Sequence, residues 1–133
     1  MGVRRLDHVA VPVDDMQAML AFYRALGFTV DDAHAPILYS VSQGDMKINL
    51  HSQRLWQSPK FDLRGPTAQP GCGDVCMVWD STEAALVELL GEAGAEVIEG
   101  PVERVGGRAT GTATGTSRYV RDPDGNLLEF IIY

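Results

Sequence analysis

The feature that most constrains the fold is that the chain is written twice. Residues 6–13 read as a strand, and Asp14 follows as a helix N-cap with Gln17 three residues on, where a capping-box partner sits. Met19, Phe22, Tyr23 and Leu26 keep the spacing of a buried helical face, and Gly27 ends the helix. The second half repeats this order with a strand at 74–79, Asp80 and Glu83 at the helix start, an apolar stripe of Leu86, Leu89, Leu90 and Ala93, and Gly94 as the stop. His8 aligns with Asp74 without a gap, and one inserted residue brings Gly27 onto Gly94. Three strand-like runs follow each helix: 28–33, 37–43 and 46–51, then 95–99, 116–121 and 126–132. Each half is therefore β-α-β-β-β. The expected class is α+β, two tandem βαβββ units in a single domain, 1–133, with repeats at about 4–52 and 72–133. Two linkers interrupt the pattern, the proline-bearing 52–73 and the glycine- and threonine-rich 101–115, each read as a lid or a mobile loop.

Alternation along the strands sorts their faces. Val9, Val11 and Val13 form a helix-facing set, with His8 and Ala10 opposite; Val75, Met77 and Trp79 do the same, with Asp74 and Cys76 pointing as His8 does. On the fourth strand Lys47, Asn49 and His51 alternate with Met46, Ile48 and Leu50, and on the last strand Leu127, Glu129 and Ile131 share a face. The polar residues thus occupy the sheet face away from the helices, and a curled sheet would make that face a concave pocket.

Asp122-Pro123-Asp124-Gly125 is a tight-turn sequence leading into a nearly apolar strand with one carboxylate, Glu129, at its centre. A carboxylate so placed is costly unless paired, and a bound cation is the expected partner, drawing in the strand residues His8 and His51. The net charge of −7 argues against nucleic acid or an anionic membrane as partner. No apolar run approaches a membrane span, and the opening residues lack the charged-then-apolar pattern of a signal peptide, so none is expected. Cys72 and Cys76 fit no zinc or redox spacing and are read as a loop residue and a small filler, so a reduced, cytoplasmic setting is expected. Asp7 is expected to face solvent.

A duplicated βαβββ unit with His8 on its first strand and Asp-Pro-Asp-Gly-Asn-x-x-Glu at its end resembles the vicinal oxygen chelate superfamily, the glyoxalase, bleomycin-resistance and extradiol-dioxygenase fold, over nearly the whole chain. Arg5-Leu6-Asp7-His8, Lys47-Ile48-Asn49-Leu50-His51 and Glu99-Gly100-Pro101-Val102 look closest to the single-module proteins of the glyoxalase domain-containing protein 5 type. The resemblance implies one curled mixed sheet with helices on the convex side, a homodimer, and a divalent metal on the concave side. His8 and Glu129 match the usual ligands; Asp74 falls where many members have a second histidine; Asn49 falls where glyoxalases carry Glu or Gln, and His51 lies two residues on. The implied ligand set is His8, His51 and Glu129, with or without Asp74; Asp74 would otherwise orient a ligand, and His51 would otherwise shuttle protons. Two imidazoles and a carboxylate form the facial pattern of non-haem iron sites, and a second carboxylate suits Fe²⁺, Mn²⁺, Ni²⁺ or Zn²⁺.

The family's chemistry is Lewis-acid activation of a small substrate chelated through adjacent oxygens. A metal-dependent dioxygenase, lyase, isomerase or thiol transferase is the expected function; the alternative is a metal-free, bleomycin-resistance-type sequestration protein. Tyr119 matches a substrate-contacting tyrosine of the fosfomycin-resistance members and Ser117 a polar neighbour there. Tyr119 and Glu129 are thus the expected catalytic residues, Ser117, Tyr119 and Asn49 the expected substrate contacts, and 110–115 a nearby cover. Lys47, Arg104, Arg108, Arg118 and Arg121 are candidate cations for an anionic substrate.

Overall fold

Valines alternating with small or polar residues make His8–Pro12 a half-buried strand, β1. The computed structural model describes residues 1–133, as two units, Met1–Cys72 and Gly73–Tyr133. In the first unit β1 is followed by helix α1 (Met16–Ala25), strands β2 (Thr29–His34), β3 (Leu38–Gln43) and β4 (Met46–His51), and a helical turn α2 (Gln53–Trp56). The sheet order is β1-β4-β3-β2, with β1 parallel to β4 and the other pairs antiparallel.

Asp15, not Asp14, caps α1, its carboxylate accepting from the Ala18 amide at 3.1 Å. Two adjacent aspartates are equally able to cap, and the sequence pattern alone does not choose between them. The helix buries Met19, Leu20, Phe22 and Tyr23 together with Val11, Val41, Ile48 and Leu50 of the strands. It ends in a Schellman motif: the amide of Gly27 donates to Arg24 O at 2.9 Å and that of Phe28 to Tyr23 O at 2.9 Å, with Gly27 at φ 91°. The accompanying apolar contact is the Tyr23–Phe28 ring pair, centroids 5.3 Å apart.

The second unit contains β5 (Asp74–Val78), α3 (Glu83–Glu92), β6 (Glu99–Val105), β7 (Thr114–Arg121) and β8 (Leu127–Ile132), in the order β5-β8-β7-β6. The strands therefore form two four-stranded mixed sheets, one per βαβββ unit, rather than one continuous ladder. Thr82 caps α3 in place of the expected Asp80, its hydroxyl accepting from Ala85 N at 3.1 Å. The same Schellman pair closes this helix, from Gly94 N to Gly91 O and Ala95 N to Leu90 O.

The segment 101–115 is not a flexible linker. β6 begins at Glu99 and runs through Val105, and the hairpin to β7 is closed by Gly106 N donating to Ala113 O at 2.8 Å. A single turn, Arg108–Gly111, lies between them, with Arg108 4.4 Å from the centroid of the Tyr133 ring. The strand is masked in the sequence by Gly100-Pro101, where the β6–β7 register shifts. Gly100 sits at φ 106°, and a Cβ there would stand 2.4 Å from Ser117 O. Only glycine fits so close an approach.

The Asp-Pro-Asp-Gly turn ties three strand ends together. Gly125 N donates to Asp122 O at 2.9 Å; Asp122 Oδ1 accepts from the amides of Asp124 (3.1 Å) and Asn126 (2.9 Å), and Oδ2 from Asn126 Nδ2 (2.8 Å). The buried Asn126 side chain in turn accepts from Gly73 N at 2.8 Å, one residue before β5.

Candidate functional site

Strand register fixes which side chains share a face. In the first unit His8 pairs with Lys47, Ala10 with Asn49 and Pro12 with His51, while Ser40 and Leu38 of β3 stand beside Asn49 and His51. The opposite face carries the buried Val11, Ile48, Leu50 and Val41. The second unit repeats the arrangement, with Asp74 beside Leu127 and Cys76 beside Glu129, and with Tyr119 across from Glu129 on the other side. By register, then, His8 corresponds to Asp74, Asn49 to Glu129, and His51 to Ile131. Matching bonds from Val13 N to His51 O and from Trp79 N to Ile131 O, both 2.9 Å, agree with this.

His8 is better prepared than its sequence suggested. Its Nδ1 lies 2.6 Å from Asp7 Oδ1. A carboxylate only accepts, so Nδ1 donates and Nε2 is the ring nitrogen that Asp7 does not engage. The hydrogen bond to His8, followed by its charge, holds the Asp7 carboxyl below the usual range. Asp7 is exposed, as expected, but orients the imidazole. Strand alternation concealed this contact, because Asp7 lies just before β1 and escapes its period.

The structure does not bring His51 beside His8. The two pair with Pro12 and Lys47, an offset of four residues, or about 13 Å along the strands. Strand side chains stand roughly perpendicular to their sheet, so the two rings project in parallel rather than converge. Asn49, beside Ala10, is only two residues off, and the same offset separates Asp74 from Glu129. His51 instead packs edge-to-face on Phe61, centroids 5.4 Å apart. Burial first, then the charge of Arg64, holds its imidazole below the ordinary 6.5. A depressed folded value means the unfolded chain takes up protons first. His51's contribution to stability is thus complete above pH 6.5 and declines as pH falls through the folded value. The expected result of an NMR titration is a His51 midpoint below 6.5; a midpoint above it would contradict the packing.

Glu129 is half-buried, and none of the ion pairs includes it. Ser117, fully buried, donates its hydroxyl to Glu129 Oε1 at 2.6 Å. Tyr119 OH accepts from Arg104 Nε at 3.0 Å, and the guanidinium lies 5.6 Å from that ring's centroid. Cys76 is no core filler: it is exposed on the face of Glu129. Partial burial, then the charge and hydrogen bond of Glu129, then Asp74, push its thiol up to about 12. It is a protonated donor at neutral pH and not a nucleophile.

Of the five candidate cations only Arg104 stands with Tyr119. Arg118 projects to the opposite face, 12% exposed, and pairs with Glu83 at 2.5 Å. Arg121 donates to Gly125 O at 3.0 Å, Arg108 covers Tyr133, and Lys47 is exposed. Residues 110–115 belong to the β6–β7 hairpin end and the start of β7 rather than to a free cover. No three His, Cys, Asp or Glu side chains stand together as a ready-made metal cluster.

Comparison with known proteins gives the family and the fold. The family described as Glyoxalase/Bleomycin resistance protein/Dioxygenase superfamily matches residues 5–130. The chain is 35% identical to virulence protein STM3117 of Salmonella typhimurium, over 100% of this chain and 87% of that protein. The crystal structure of STM3117 superposes with a TM-score of 0.84, covering 100% of this chain and 99% of that one. The glyoxalase domain-containing protein RDO1 of Mycosarcoma maydis is 37% identical, over 100% of this chain and 70% of its own length. An integron cassette protein from the mobile metagenome of V. cholerae is 30% identical at a TM-score of 0.84, covering 100% and 98% of the two chains.

Proposed function

This chain belongs to the glyoxalase/bleomycin resistance protein/dioxygenase superfamily, and from that premise we propose that it is a metal-dependent enzyme acting on a small substrate chelated through vicinal oxygens, as a dioxygenase, lyase, isomerase or thiol transferase. The proposed ligands are His8, Glu129 and Asp74, with Asn49 as a neutral oxygen donor and His51, four residues off in register, outside the ligand set. The observation that carries this reading is the Asp7–His8 pair at 2.6 Å, which orients the imidazole through Nδ1 and leaves Nε2 as the ring nitrogen an ion would take. The mixed imidazole and oxygen donors fit a first-row divalent ion, Fe²⁺, Mn²⁺, Ni²⁺ or Zn²⁺.

When bound, such an ion supplies Lewis acidity to the substrate's oxygens. Ser117 holds one oxygen of Glu129 and so fixes the orientation of the carboxylate. Tyr119, its hydroxyl oxygen already accepting from Arg104, keeps its own proton to donate to a substrate oxygen. Expected from elemental analysis is about one divalent ion per chain. Asp74→Ala should lower retention at least about tenfold if Asp74 is a ligand, and unchanged retention would remove it from the set.

The runner-up is metal-free sequestration of a small molecule, favoured by the lack of a ready-made three-donor cluster. Ligand binding that survives chelation, with no turnover, would install it. The reading includes a homodimer, since each sheet ends in two edge strands that pairing would cover; a monomer by sedimentation at micromolar concentration would refute that part. It also includes a reducing, cytoplasmic setting, in keeping with the free Cys72 and Cys76, which cell fractionation would check. No helix is long and apolar enough to cross a membrane.

A further inference from the structure

The segment after β4 builds a feature that the metal reading does not use. Ser52 caps α2 by accepting from Leu55 N at 3.3 Å, and Trp56 Nε1 donates to Val13 O at 3.0 Å, which fixes the indole at the end of β1. Arg64 lies over that indole, its guanidinium carbon 5.6 Å from the ring centroid. One terminal nitrogen of Arg64 donates to Ala68 O. Its Nε is buried and has no acceptor, and no carboxylate pairs with the side chain. The charge of Arg64 reaches the His51 imidazole, and His51 packs on Phe61. Four half-buried side chains, Trp56, His51, Phe61 and Arg64, thus combine apolar rings with a cation whose fork is incompletely filled.

We propose that Arg64, with Trp56, Phe61 and His51, seats the carboxylate and ring of a small aromatic carboxylic acid. A buried guanidinium donor without an acceptor is uncommon in folded proteins, because its loss of water is uncompensated. Its planar fork matches a carboxylate, and the rings beside it supply a stacking surface for an aromatic body. The chain carries a net charge of −7, so a cation held without a partner here is not surplus basic surface. The seat lies wholly in the first unit, and it goes beyond the metal reading and does not depend on it.

The test uses the full chain stripped of metal with a chelator, titrated with benzoate and followed by tryptophan fluorescence. Saturable binding is expected. Benzamide, the neutral analogue, should bind at least about tenfold more weakly, as should benzoate to Arg64→Gln, since a charge-assisted bond is lost in each case. Trp56→Phe should remove most of the signal. No binding of benzoate at tens of millimolar, or equal affinity for benzamide, overturns the proposal even if Arg64→Gln fails to fold. Unchanged affinity in a folded Arg64→Gln also overturns it. Metal is absent throughout, so failure here leaves the metal reading intact, and failure of the metal reading leaves this one standing.

Discussion

Glu129→Ala is expected to abolish metal retention and, with it, turnover. The residue lies in the middle of β8 with apolar neighbours, Leu128 and Phe130, buried on the other face. A carboxylate in such a strand is costly unless compensated. Within its own unit the compensation is one hydroxyl, Ser117, and a thiol, Cys76, both neutral. On the proposed reading, a bound cation balances the charge. Removing a residue that only orients a ligand costs about 10–100-fold in metal affinity or activity. Loss of the anionic ligand itself should exceed that, whereas Ser117→Ala should fall within it. Tyr119→Phe is the matched control: it keeps the metal and lowers kcat/KM by roughly twofold to a hundredfold, the range for one lost hydrogen bond to a neutral or charged oxygen. Elemental analysis and rates on a panel of catechols, 2-oxoaldehydes and epoxides would decide. Full metal content in Glu129→Ala would remove it from the ligand set, and full activity with the metal lost would end the metal-dependent reading.

What could be read from the chain and what could not divide along a physical line. The duplication, the helix stripes and the two-residue alternation are local, and each survives in the structure. The faces assigned to His8, Asn49 and His51, and to Asp74, Cys76 and Glu129, follow from alternation alone and agree with the ladders. Register is not local. Only pairing His8 with Lys47 reveals that His51 lies too far along β4 to project beside it. The Asp7–His8 contact was hidden because Asp7 is outside the strand, and the Arg118–Glu83 pair because it joins β7 to α3, elements far apart in sequence. β6 lies beyond the expected 95–99 run because Gly100-Pro101 reads as a break, while the ladder takes it up as a register shift. Arg64 gave no signal at all: a lone arginine in a proline-bearing loop reads as surface until its buried Nε is seen.

Asp122→Ala is expected to cost more stability than any other single substitution outside the hydrophobic core. The carboxylate is 4% exposed and accepts three hydrogen bonds, two from backbone amides and one from the Asn126 side chain. Truncation would leave the Asn126 amide and side chain, themselves buried, without acceptors. Asn126 is also the acceptor for Gly73 N, and Leu127 N donates to Gly73 O at 2.9 Å, so the loss would reach the start of β5. Bonds to a charged acceptor are worth about 1.5–3 kcal/mol each and stranded donors add to the penalty; with partial rescue by water, a net loss of about 3–5 kcal/mol is expected. For a chain of this size that lowers Tm by about 10–20 °C. Asp122→Asn should cost less, since it keeps the Oδ1 acceptor for both backbone amides. Thermal unfolding should be followed on metal-free protein, so that a lost ion does not contribute to the shift. A change under about 3 °C for Asp122→Ala would mean that proline and glycine alone hold the turn, and that its aspartate does not bind β7, β8 and β5 into one unit.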